Sequence, residues 1–147
     1  MRYWLITLTE DSFFICMRLG ILGAKERRGE QFSKFEPGDR IVFYVSRKYA
    51  SRQTPKISEF RGTGRVTGRS FFETTKLWNS IGNEIYPVRI RFRPDISKGG
   101  VQGRDIIKSL DFIGEQKFWY LAFFNTPREL SQKDFMHIEH ALREVDA

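Results

Sequence analysis

The chain is poor in the residues that redox, metal and covalent chemistry need. One cysteine, Cys16, among 147 residues rules out an internal disulfide and fits a reducing, cytoplasmic setting. The two histidines, His137 and His140, flank Glu139 on a single stretch, and no cysteine cluster joins them. A metal site needs three or four ligands, so both read as solvated side chains, and neither a metal nor a cofactor is expected. There is no Gly-x-x-x-x-Gly-Lys-Ser/Thr loop to cradle a nucleotide phosphate. Glu10, Asp11, Glu84 and Asp105 show no spacing that singles out an acid–base pair, and Cys16 lies in an apolar helical stretch as a small buried side chain. The expected protein is not an enzyme. No apolar run approaches the roughly 18 residues of a membrane span, and Met1-Arg2-Tyr3-Trp4 lacks a signal-peptide pattern, so no membrane partner is expected.

What the chain does have is positive charge and flat hydrophobic side chains. It carries 25 Lys and Arg against 18 Asp and Glu, a formal net charge of +7, with 15% aromatic residues. A cationic surface attracts phosphates, and aromatic faces hold bases by stacking. Hydrophobic residues at 40% and charged residues at 29% are ordinary for a globular chain. One domain spanning 1–147 is expected, and the sequence says nothing of oligomeric state.

Tyr3 to Leu8 reads as a buried strand, followed by a helix with Phe13, Phe14, Met17 and Leu19 inward, capped by Thr9 or Asp11 and stopped by Gly20. Glu36-Pro37-Gly38-Asp39 is a turn. Arg40 to Ser46 is too continuously apolar for an edge strand, so neighbours must cover both its faces. Ser46 to Lys56 is a polar loop, and Phe60 to Thr67 is a strand whose Gly62 and Gly64 mark a bulge or a close backbone approach. From Ile85 to Phe92, Val88, Ile90 and Phe92 alternate with Arg89, Arg91 and Arg93, which predicts arginines in water. Asp105 to Ile113 has helical spacing, Trp119 to Phe124 reads as a last strand, and Ser131-Gln132-Lys133-Asp134 opens an amphipathic helix. Strands and helices interleave without a βαβ period, which predicts an α+β domain with a strongly bent sheet.

Two groups carry the functional expectation. Arg47, Lys48, Arg52, Lys56, Arg61, Arg65 and Arg69 face only Glu59 along their stretch, a density suited to sequence-independent phosphate contacts. Trp78 sits among Thr74, Thr75, Lys76, Asn79 and Ser80, a polar setting that favours an exposed or pocket-lining indole. Trp4 reads as core, whereas Trp119 fits core and pocket wall equally.

The blocks Tyr3-Trp4-Leu5-Ile6, Gly20-Ile21-Leu22-Gly23, Pro37-Gly38-Asp39-Arg40-Ile41-Val42-Phe43-Tyr44, Gly62-Thr63-Gly64, Tyr86-Pro87-Val88 and Pro127-Arg128-Glu129-Leu130, in this order, resemble the EVE domain proteins over nearly the whole chain. The resemblance implies a PUA-like fold, a mixed β pseudo-barrel flanked by helices, and kinship with the YTH domains that read N6-methyladenine in RNA. It implies a reader of a modified base in RNA or DNA, with methylated cytosine derivatives as one ligand class. YTH readers carry Gly-Val-Trp where this chain has Gly20-Ile21-Leu22, so Leu22 stands where one cage wall is an indole. The second cage Trp falls on Trp78.

The expected pocket therefore comprises Trp78, Leu22, Thr7, Thr9, Asn79 and Trp119, with Arg47, Lys48, Arg52 and Arg69 on phosphates. With one aromatic wall replaced by an alkyl group, a neutral planar ligand is expected rather than a cation. Two other function classes remain open at this point: a carrier of a free nucleobase or nucleoside, and an enzyme acting on modified nucleotides through Glu10 or Asp11.

Overall fold

The computed structural model describes residues 1–49, 53–75, 85–114 and 117–146. In chain order the elements are β1 (Tyr3–Leu8), α1 (Glu10–Leu19), β2 (Ile21–Ala24), the single turn α2 (Gly29–Phe32), β3 (Arg40–Arg47), β4 (Lys56–Val66), β5 (Phe71–Phe72), β6 (Val88–Pro94), β7 (Val101–Gln102), the single turn α3 (Gly103–Ile106), β8 (Arg128–Leu130) and α4 (Gln132–Asp146). The strands form one mixed sheet in the order β2-β6-β4-β3-β1-β8, with β5 on β6 and β7 on β4. The sheet curls into a half-barrel flanked by helices, the α+β architecture the sequence predicts.

β1 and β3 run parallel at its centre and are covered on both sides, as their continuous apolar runs require. Trp4 and Ile6 point into one cluster with Phe13, Leu22, Phe35, Phe43, Ile90 and Phe92, closed by α1. Tyr3 and Leu5 point into a second with Tyr44, Phe60, Phe123 and the Phe135, Ile138 and Leu142 stripe of α4. Each of these large apolar side chains stabilises the fold by about 1.5 to 3 kcal/mol when fully buried. α4 is held further by Arg40, which pairs with Asp95 at 3.2 Å and with Glu139.

Local punctuation follows the sequence. α1 ends at Gly20 in the left-handed region, and α4 opens with the Asp134 amide donating to Ser131 Oγ at 3.1 Å. The β3–β4 register slips between Phe43 and Tyr44, so Arg61 is the extra residue of a bulge. Gly62 also marks a close approach: a Cβ there would lie 2.5 Å from the Ile96 carbonyl oxygen.

Four expectations are corrected. α1 turns Phe13 and Cys16 inward, whereas Phe14 and Leu19, expected on the inner face, are exposed. Arg89 does not face water. It is 2% exposed, with its guanidinium donating to Glu73 at 2.7 Å and to the Thr75 hydroxyl at 3.0 Å. These partners, beyond the strand itself, neutralise a buried cation that alternation alone assigns to solvent. Trp119–Phe123 is a 3-10 turn rather than a strand, and Asp105 to Ile113 holds only the end of α3 and a 3-10 turn, Ile107–Ser109. Short apolar runs satisfy either period, so their spacing cannot decide. No helix among the described residues is long and apolar enough to cross a membrane.

Candidate functional site

A cavity of about 360 Å³ opens where β1 and β3 end and β4 begins. Strand pairing builds its floor. The parallel register sets Thr7 opposite Tyr44, and the antiparallel register sets Arg47 opposite Lys56. The aromatic 3-10 turn supplies the other wall, with Trp119, Tyr120 and Phe123, and Phe124 follows at the rim. Tyr44 stacks on Phe123 with ring centroids 3.9 Å apart and planes 17° apart, and Trp119 meets Phe123 edge-to-face at 6.0 Å. The indole can come this close because position 103 has no side chain: a Cβ on Gly103 would lie 3.0 Å from Trp119 Cζ3.

The lining is neutral inside and cationic at the mouth. Thr7, Ser46, Ser58 and Thr126 bring hydroxyls, Arg47 and Lys56 bring charge, and no carboxylate lines the cavity among the described residues. Burial pushes the Tyr44 phenol above its ordinary value, with a hydrogen bond from Ser58 working the other way, so the ring stays uncharged at neutral pH. The Thr7 amide donates to Thr126 Oγ1 at 3.2 Å, which fixes the backbone. Thr7 Oγ1 itself is buried and finds no hydrogen-bond partner among the described residues. Leaving such a group unmade costs about 1 to 3 kcal/mol. Chemically, the cavity suits a neutral planar heterocycle with hydrogen-bonding edges and an anion outside it.

Of the residues expected from sequence, Thr7, Trp119 and Arg47 come together here. Thr9 Oγ1 is engaged by the Asp11 carboxylate and Ser12 at the start of α1. Lys48 follows Arg47, exposed, with its ammonium 5.7 Å from the centre of the Tyr49 ring. Arg69 pairs with Glu36 at 3.7 Å, beside the turn that precedes β3. Arg47 closes the same eight-residue strand, so the two cations belong to opposite ends of a strand that spans roughly 23 Å at about 3.3 Å per residue. Trp78, Asn79 and Arg52 lie outside the described residues.

Leu22 does not line this cavity. It is 1% exposed, pairs with Ile90 across β2–β6 and packs in the α1-side core, because the alternation along β2 turns Leu22 and Ala24 inward. A Leu22→Trp substitution should overpack that core and cost about 1 to 3 kcal/mol in urea unfolding. Sequence reasoning misses Tyr44 and Phe123 as walls. Tyr44 sits in a strand with the pattern of pure core, and Phe123 in a run whose spacing reads as extended.

Comparison with known proteins agrees with this architecture. A UPF0310 protein of Pyrococcus abyssi is 30% identical over 145 residues, covering 97% of this chain and all of the relative. A UPF0310 protein of Saccharolobus solfataricus is 30% identical over 151 residues, covering 98% and 97%. No family model matches the sequence. Among solved structures, the YTH domain of the Zygosaccharomyces rouxii MRB1 protein in complex with N6-methyladenosine RNA superposes with a TM-score of 0.65 at 15% identity, over 98% of this chain and 88% of that one. The Mmi1 YTH domain in complex with RNA gives 0.66 at 11% identity, over 97% and 78%. At these identities the YTH likeness establishes the fold alone; the archaeal relatives establish kinship. The chain belongs to the UPF0310 family.

Proposed function

We propose that this chain is a single-domain, cytoplasmic nucleic-acid-binding module of EVE type, which reads a modified base without catalysing a reaction. The observation that carries the reading is the cavity between Thr7, Tyr44 and Trp119, whose neutral aromatic interior and cationic mouth match a base and its phosphates. The fold supports it, since the similar YTH domains were solved with RNA, one of them carrying N6-methyladenosine. A flipped or unpaired base enters, the hydroxyl-bearing side of the lining takes its edge, the aromatic turn takes its face, and Arg47 and Lys56 hold phosphate oxygens. Extracting a base costs a few kcal/mol and least from a single strand, so unpaired RNA or DNA is preferred over duplex.

The test is titration of nine-nucleotide single strands, RNA and DNA, carrying a central N6-methyladenine or 5-methylcytosine or its unmodified parent. One methyl group buried in the cavity is worth about 0.8 kcal/mol, so about fourfold tighter binding of the preferred modified strand is expected. Equal affinity for modified and unmodified strands defeats the reader assignment. Affinity should fall steeply with salt, and Arg47→Gln with Lys56→Gln should flatten the log–log slope by about 1.4, at about 0.7 for each phosphate no longer neutralised. A salt-insensitive complex contradicts the arrangement. A free nucleoside that binds as tightly as the strand makes the chain a small-molecule carrier instead.

A further inference from the structure

A second concavity lies on the other side of one short segment. Thr126 lines the aromatic cavity, whereas its neighbours Asn125 and Pro127 line an open groove of about 660 Å³ that runs along the start of β1. The segment Asn125-Thr126-Pro127 is therefore a partition between the two.

The groove has a different chemistry from the cavity. Arg2, Lys34 and Arg128 line it together with Gln31 and Asn125. Arg28 donates to Gln31 Oε1 at 3.1 Å and to Asn125 Oδ1 at 3.2 Å. With those oxygens taken, each amide keeps its NH2 group for an acceptor. Glu129 is the one carboxylate on the lining among the described residues, and it is 3.7 Å from Arg2. Trp4 also lines the groove, but it is 4% exposed, stacked on Phe35 and bonded to Asp39, so it offers no free face to a base. Cations and N–H donors without a free aromatic face suit phosphate oxygens and sugars rather than bases.

We propose that this groove holds the sugar–phosphate backbone of the nucleotides flanking the base in the aromatic cavity, so that a single strand crosses the Asn125-Thr126-Pro127 partition. The proposal rests on the base-binding reading above and adds a second, sequence-independent binding surface to it. It also makes strand length a determinant of affinity: a nucleoside fills the cavity alone, whereas an oligomer engages both.

The experiment compares N6-methyladenosine with a nine-nucleotide oligouridine strand carrying one central N6-methyladenosine, by calorimetry and fluorescence anisotropy across a salt series. Arg2→Gln with Lys34→Gln changes two exposed side chains outside the cavity. This double variant should bind the strand about 10-fold more weakly at 0.15 M salt, with the salt slope reduced by about 1.4 and nucleoside affinity unchanged. A double variant that keeps the wild-type slope overturns the groove and leaves the base site standing. A reduced slope in a protein whose Trp119→Ala variant binds the strand normally keeps the groove and removes the base site. No binding of the strand to the wild-type protein overturns both.

Discussion

Trp119→Ala is expected to weaken binding of a single strand with a preferred base by about 1 to 3 kcal/mol, about 5- to 150-fold, the usual worth of one base–aromatic stack. The indole is half-buried and braced edge-to-face by Phe123 and by Tyr120, at 6.0 and 6.5 Å, so it is held in place before a ligand arrives. Preorganisation of this kind lowers the ordering cost of binding, and its loss should appear mainly in the dissociation rate. Trp119→Phe keeps a flat face and should retain most of the affinity. Tyr44→Phe removes only a hydroxyl from the floor and separates stacking from hydrogen bonding. The salt slope of the Trp119→Ala complex should stay at the wild-type value, because Arg47 and Lys56 still meet phosphates. A folded Trp119→Ala protein with undiminished affinity places the base elsewhere.

The framework of this fold is legible in the sequence wherever a segment's environment is set by its own pattern. β1 and β3 announce two-sided burial by unbroken apolar runs, Pro37-Gly38 announces a turn, and Ser131 announces the start of α4. The pattern fails where a distant partner decides. Arg89 alternates like a solvent-facing residue, yet Glu73 and Thr75 come from another strand's surroundings to receive it. The site shows the same division. Thr7 and Trp119 can each be singled out from sequence, but their meeting depends on a 3-10 turn that no short apolar run can distinguish from a strand. Likeness to a YTH cage position puts Leu22 in the pocket, while the two-residue period of β2 puts it in the core. The basic stretch looks like one surface along the chain, and the length of β3 separates Arg69 from Arg47.

Asp39→Ala should lower unfolding stability by about 3 to 5 kcal/mol, the largest effect expected from a single substitution here. Asp39 is 2% exposed, and its carboxylate accepts three hydrogen bonds at 3.0 Å: from Trp4 Nε1, from the Glu36 amide and from the Arg2 amide. It thus ties the turn before β3 to the beginning of β1 and orients the Trp4 indole, which stacks on Phe35 at 4.3 Å. Hydrogen bonds to a charged group contribute about 1.5 to 3 kcal/mol each, and a buried donor left without an acceptor is costly, although a truncated site admits some relaxation. Against a total of about 5 to 15 kcal/mol this is a fifth or more of the stability, and the melting temperature should drop by about 6 to 20 °C. Asp39→Asn keeps one acceptor oxygen and should lose only about 1 to 2 kcal/mol. The consequence reaches the cavity through register alone. Pairing of Tyr3 with Arg40 at one end of the parallel strands is what brings Thr7 opposite Tyr44 at the other. The folded fraction of Asp39→Ala should therefore bind the free nucleoside, which engages the cavity alone, with wild-type affinity below its melting temperature. An Asp39→Ala protein within about 1 kcal/mol of wild type would show that β1 and β3 find their register without the carboxylate.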